Sequence, residues 1–227
     1  MGLKEAVLNL LFPPRCPCCM SLQEHVGICS ACEKALPCTA EKDTLREGAG
    51  GLRCAAPLWY EKGAKEALLH LKFQGRASAA EPLGELIARC AAEQFGGEFD
   101  TVTWVPVSRR RLRSRGYDQS RLLAEAACRH WGIKPVKLLK KSVDNPPQSG
   151  IRDDAARRAN VLGVYDAVRP ECIVGRRILL VDDICTTGAT LTECIRVLKS
   201  AGAEEVVCVA VAHTRIRKCE KTANSPK

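Results

Sequence analysis

The chain has 227 residues, which suits one α/β domain plus a small module. Hydrophobic residues make up 46% but aromatics only 4%, so Leu, Ile, Val and Ala must build the core. No apolar run approaches the roughly 20 residues of a membrane span, which excludes a helical transmembrane protein. The net charge of +9 is localised. Residues 101–160 hold 14 of the 35 Lys/Arg but only 5 of the 26 Asp/Glu, and the rest of the chain is neutral. Such a block suits phosphate-bearing ligands, small or polymeric; the alternative is a solvated basic face.

In chain order, residues 3–12 carry apolar side chains at helical spacing, and Pro13-Pro14 end that helix. The same stretch makes a poor secretory signal, because Glu5 interrupts it and no small-residue cleavage site follows. A cytoplasmic protein is expected. Cysteine crowds the next segment, at Cys16, Cys18, Cys19, Cys29 and Cys32. Cys16-x-x-Cys19 and Cys29-x-x-Cys32 are two knuckles separated by nine residues, a spacing that closes a tetrahedral structural Zn²⁺ site. Cys18 competes with Cys19 for one knuckle, and the two-residue gap favours Cys19. A redox pair at Cys16 and Cys19 is the second reading, weakened because no thioredoxin-like helix opens there. Cys38 and Cys54 lack partners at knuckle spacing. The scattered cysteines, Cys185 among them, read as small buried hydrophobes.

Residues 39–51 are polar and Gly-rich and read as a linker. Helices are expected over 63–73, 77–95 and 118–132, the last closed by Gly132. Strands are expected over 101–107, 136–140, 178–181 and 206–212. A helix starting at Thr190 carries the capping box Thr190/Glu193 and ends at Gly202. Apolar strands alternating with helices predict an α/β fold with a mostly parallel sheet flanked by helices. Residues 142–176 are irregular and long enough to be a functional connection. The expected division is a cysteine module with linker in 1–55, the main domain in 56–215 and a loose basic tail in 216–227.

One stretch combines features that rarely meet: Val181-Asp182-Asp183-Ile184-Cys185-Thr186-Thr187-Gly188-Ala189-Thr190. In a parallel sheet, ligands bind at the carboxyl ends of strands, where Asp182 and Asp183 fall. The following helix N-terminus, Gly188 and the hydroxyls of Thr186, Thr187 and Thr190 suit a phosphate. The aspartates suit sugar hydroxyls, or Mg²⁺ through water. A ribose 5-phosphate satisfies both halves.

This stretch resembles the phosphoribosyl pyrophosphate (PRPP) motif of type I phosphoribosyltransferases. "VPVSRRRLRSRGYDQSRLLA" (105–124), the Lys72-Phe73 pair and the positions Gln148, Arg157, Asn160 and Val161 resemble segments of the ComF (GntX-like) family. That family usually has Asn where Asp118 stands. The resemblance implies a type I phosphoribosyltransferase fold with an N-terminal zinc module. It implies Asp182 and Asp183 as catalytic residues, PRPP contacts from Asp182, Asp183, Cys185, Thr186, Thr187, Gly188, Ala189 and Thr190, and Mg²⁺ arriving with PRPP. Ser108, Arg109, Arg110 and Arg115 become candidates for the pyrophosphate loop. Gln148, Arg157 and Asn160 become candidates for a hood over the ligand. It also implies a part in cytoplasmic handling of single-stranded DNA during natural transformation, together with competence DNA-handling proteins. An active phosphoribosyltransferase of nucleotide metabolism and a PRPP-sensing regulator stand as alternatives. Against direct base stacking, only Tyr117 and Trp131 lie near the basic block.

Overall fold

A computed structural model describes residues 13–73, 75–144 and 161–215. The expected helix 3–12, the hood candidates Gln148, Arg157 and Asn160, and the tail 216–227 lie outside the described residues.

The centre is a six-stranded sheet. Its strands are β1 (Leu45–Gly48), β2 (Leu52–Ala55), β3 (Leu58–Trp59), β4 (Thr101–Trp104), β7 (Arg177–Cys185) and β8 (Glu205–His213), in the order β1-β2-β8-β7-β4 with β3 also beside β8. All pairings are parallel except β1 with β2. β7 and β8 alternate between two cores, as a strand buried on both faces must. Leu179, Val181, Val207 and Val209 face α3 (Lys62–Phe73), α4 (Ala80–Phe95) and α6 (Gln119–His130). Ile178, Leu180, Val206 and Cys208 face α7 (Ala189–Ser200) and a separate two-stranded sheet of β5 (Leu139–Lys141) and β6 (Tyr165–Ala167). The α/β architecture expected from the sequence is therefore present, with helices on both faces. Gly84 lets α4 approach α6 closely: a Cβ there would lie 2.3 Å from the Ala126 Cβ.

Several local expectations change. The stretch 39–51 is not a linker. It holds the short helix α2 (Glu41–Thr44) and β1, and its backbone hydrogen bonds run into the sheet through β2. Polar composition hid it because β1 is an edge strand, with half its residues exposed. The strand expected at 136–140 begins only at Leu139 and pairs with β6, outside the main sheet; Val136 and Leu138 instead donate backbone hydrogen bonds to Val102 O and Thr103 Oγ1. The capping box does not form. The N-cap position is Gly188, at φ 79°, and the Glu193 carboxylate accepts from Gly163 N–H at 2.8 Å and from Arg196.

The cysteine segment, including α1 (Ser30–Lys34), packs against the first core. Cys16 and Cys18 are buried, and Ile28, Cys29, Cys32 and Leu36 lean on the same cluster. His70 Nδ1 on α3 lies 2.6 Å from the Pro17 carbonyl, a contact in which the ring nitrogen donates.

Candidate functional site

β7 does not stop before its acids; it runs through Asp182 and Asp183 to Cys185, in parallel register with β8 as far as His213. The chain then turns through Thr186, Thr187 and Gly188 into α7. Gly188 is needed in this turn because its φ of 79° lies in the left-handed region. The Thr187 Oγ1 accepts from Ala189 N–H at 3.4 Å, and Ala189, Thr190 and Leu191 of the first turn of α7 face the adjoining cavity. Arg46 on β1 braces the turn from behind, donating to the carbonyls of Thr186 (2.6 Å), Cys185 (3.3 Å) and Thr214 (2.6 Å).

This turn forms one wall of a cavity of about 660 Å³. Asp182, Asp183, Thr186, Gly188 and Thr190 line it on the loop side, while Lys72, Arg111, Arg115 and Lys141 bring four cations from α3, the helix α5 (Arg109–Arg115) and β5. Tyr60, Phe73, Tyr165 and Leu69 give it apolar surface.

Both carboxylates are buried, Asp182 at 9% and Asp183 at 5% exposure, and both are hydrogen-bonded. Asp182 Oδ1 accepts from Ser120 Oγ (3.0 Å) and Asp183 N–H (2.8 Å). Asp183 Oδ2 accepts from Gln119 Nε2 (3.0 Å) and forms an ion pair with Lys72 Nζ at 2.9 Å. Burial, and then the neighbouring Asp183 charge, push the Asp182 carboxyl well above the usual carboxylate range. Arg115 donates to the Gln119 Oε1 and lies over the Phe73 ring at 5.3 Å. The Arg111 Nη2 is buried and has no hydrogen-bond partner among the described residues. Burial, and then the Arg111 charge, lower the Lys141 pKa below its ordinary value.

Of the pyrophosphate-loop candidates, only Arg115 lines the cavity. Ser108 is buried as the N-cap of α5, its Oγ accepting from Arg111 N–H. Arg109 is exposed, and Arg110 points outward to Asp144 at 2.6 Å. The reason is helical: α5 begins at Arg109, so Arg111 and Arg115, four residues apart, share the inward face. Arg111, Gln119, Ser120, Lys141 and Tyr165 escaped the sequence reading. Only the spacing of Arg111 and Arg115 on a helix would have signalled any of them. Asp118 does not reach into the cavity. Its Oδ1 caps α6 at Arg121 N–H (3.2 Å) and its Oδ2 accepts from Val107 N–H (3.1 Å), clipping the β4 exit to the helix.

In the cysteine segment, one sulfur each from Cys16, Cys19, Cys29 and Cys32 lies within 4.8 Å of the others, so this cluster could hold a metal ion. The Cys19 and Cys29 sulfurs are 3.7 Å apart. Cys18 points away into the core against Gly63, and burial pushes its thiol up to about 12. Among the described residues no helix is long and apolar enough to cross a membrane.

Residues 140–225 match the family described as phosphoribosyl transferase domain. The chain is 30% identical to competence protein ComFC of Streptococcus pneumoniae over 84% of each protein. It is 26% identical to competence protein F of Haemophilus influenzae, over 79% of this chain and 87% of that one. It is 27% identical to DNA utilization protein YhgH of Escherichia coli, over 80% of this chain and 88% of that one.

Proposed function

Because the chain belongs to the ComFC family of competence proteins, we propose that its cavity binds PRPP or a closely related ribose 5-phosphate and that the protein serves DNA handling in competence. One observation carries the ligand assignment: four cations, two carboxylates and a Thr/Gly helix N-terminus surround a single cavity. In this reading the Thr186–Thr190 turn takes the 5-phosphate through backbone N–H groups and hydroxyls. Asp182 and Asp183 take the ribose diol. Arg111, Arg115 and Lys141 take the pyrophosphate, the buried and unpartnered Arg111 Nη2 gaining its acceptor there.

A hard oxygen donor set such as Asp182 and Asp183 fits Mg²⁺, which would supply charge neutralisation on the pyrophosphate. Where an acceptor is present, its nucleophile attacks the ribose C1, the C1–O bond to pyrophosphate breaks, and the leaving electron pair goes to the pyrophosphate held by the cationic wall. This displacement needs no covalent protein nucleophile. A site that binds PRPP and performs no transfer has the same residues, so transferase and sensor differ only in turnover.

The cluster of Cys16, Cys19, Cys29 and Cys32 fits Zn²⁺ as a four-thiolate structural ion. We place the module's boundary at the entry to β1, since 45–55 pair within the sheet, with 216–227 as a separate basic tail. The exposed Arg109, Arg110 and Arg113 on the outer face of α5 suit the backbone of single-stranded DNA.

Calorimetric titration with PRPP, with and without Mg²⁺, tests the ligand. Binding is expected in the parent, with a loss of 100-fold or more, an order-of-magnitude figure for losing two charged contacts, in Arg111→Ala/Arg115→Ala. Parent-like binding in that variant would sink the assignment. Pyrophosphate release over a panel of nucleobases and amines separates transferase from sensor. A salt-dependent affinity for oligo-dT that is unchanged in Arg109→Ala/Arg110→Ala/Arg113→Ala would remove α5 from the DNA reading.

A further inference from the structure

Where β7 enters the phosphate turn lies a second cluster of ligating side chains, one member of which, Cys185, also lines the cavity. We infer that Cys54, Cys185 and His213 form a buried site for a thiophilic divalent cation of the Zn²⁺ type, held by two thiolates and one imidazole.

One ligand atom from each of the three residues lies within 4.8 Å of the other two. Cys54 and His213 are fully buried and Cys185 is 1% exposed. Cys185 and His213 are register partners on β7 and β8, and Cys54 comes from β2 on the other side of β8. Three strands of the central sheet thus converge on one point.

The histidine carries the argument. Its Nε2 lies 3.1 Å from the Thr44 carbonyl oxygen. A carbonyl only accepts, so Nε2 bears the proton and Nδ1 presents a bare lone pair. That Nδ1 is buried and has no hydrogen-bond partner among the described residues. A buried polar atom without a partner calls for an explanation, and a cation beside two sulfurs supplies one. The backbone carbonyl behind the ring is also the usual support of a metal-bound histidine, since it fixes tautomer and orientation.

Charge is consistent with this reading. Two thiolates balance a divalent ion, and the Arg46 Nη1, 4.0 Å from the Cys185 sulfur, favours the deprotonated form. Binding releases to solvent any proton that the two thiols still carry. Two cysteines and a histidine leave a fourth tetrahedral position for water or another donor. Apart from Cys16 in the knuckles, the other buried cysteines do not share this arrangement: Cys18, Cys90 and Cys128 sit in the first core and Cys194 and Cys208 in the second, and none of them belongs to a metal-ligating group among the described residues.

The test uses full-length protein expressed in medium supplemented with ¹¹³Cd²⁺ and kept reduced. Two ¹¹³Cd resonances are expected, one from the four-cysteine knuckles and one correlated to the His213 ring protons. His213→Gln and Cys54→Ser should each abolish the second resonance and leave the first in place. A parent spectrum with no cadmium resonance correlated to His213 overturns the inference, whether or not the variants fold. Folded His213→Gln protein that retains both resonances overturns it equally.

Discussion

The cysteine knuckles draw four sulfurs from residues 16–32, whereas the cavity draws its walls from α3, α5, α6, β5, β7 and α7, spread over more than 100 residues. The knuckle segment buries little of its own: α1 contains no buried residue. The cavity instead rests on two large cores, one on each face of the sheet. The first region has little core of its own and leans on the first core; in the proposed reading a metal ion on its four sulfurs supplies the rest of its stability. Packing holds the second, and it does so while burying two carboxylates beside four half-buried cations. The first region concentrates its stability in a few bonds. The second spends some of the stability of its cores on ligand-ready charge.

That contrast predicts effects of graded size. The largest follows from Cys29→Ser/Cys32→Ser. Structural Zn²⁺ contributes on the order of 10 kcal/mol to folding small modules. Amides of the knuckle segment should therefore lose their protection from hydrogen exchange almost entirely, while those of β7 and β8 stay protected. Equal loss in both regions would show that the knuckles and the sheet are one cooperative unit.

Next comes Lys72→Met, which leaves Asp183 buried with Gln119 as its remaining neutral partner. Breaking a buried pair from one side costs about 3 kcal/mol. For a chain of this size that lowers the melting temperature by roughly 8 °C. An unchanged melting temperature would show that the Lys72–Asp183 contact does not stabilise the fold.

Asp182→Asn should act in the opposite direction, stabilising the ligand-free protein by about 1–2 kcal/mol near pH 7 while weakening ligand binding. The amide oxygen can still accept from Ser120 and Asp183 N–H. The sign with pH follows from the raised pKa of Asp182. The folded state holds this proton more tightly than the unfolded chain does. The group's contribution is therefore fully present below the ordinary carboxylate range, about pH 4, and is lost as pH rises toward the folded value. The advantage of the Asn variant must widen between pH 5 and pH 7.5, which denaturant midpoints at the two values will read. An advantage that narrows would contradict the burial argument.

The smallest effect belongs to Asp118→Asn. Its amide can keep one of the two accepted hydrogen bonds but turns an NH₂ group toward the other backbone N–H, at Val107 or at Arg121. A cost of about 1 kcal/mol is expected in equilibrium unfolding, with cation positions in the cavity unchanged. A gain in stability would show that the carboxylate is strained where it stands.

Much of this was legible in the chain because its signals are local. The knuckle spacing, the Val181–Thr190 turn, α4, α6, α7 and the apolar β7 and β8 all follow from patterns within about 20 residues. The resemblance singled out the Lys72-Phe73 pair without giving it a role, and the fold puts both residues on the cavity wall. What failed was what depends on orientation. The arginine run gave the location of the basic wall but picked Arg109 and Arg110, because the start of α5 sets which side faces in. Thr190 and Glu193 matched a capping pattern, but Gly188 took the cap and Glu193 turned to Gly163. The polar composition of 39–51 concealed β1, which is paired to β2 but open to water on its other edge.

The sequence by itself determined the α/β alternation, the four-cysteine knuckles and a turn that pairs carboxylates with a phosphate-type helix start. Each is a matter of periodicity or of spacing along one element. Only the tertiary structure decided which cations face that turn, that Lys72 neutralises Asp183, and that Cys54 meets Cys185 and His213. These contacts join residues 28 to 159 positions apart, and such distances close only when parallel strands set the register between them.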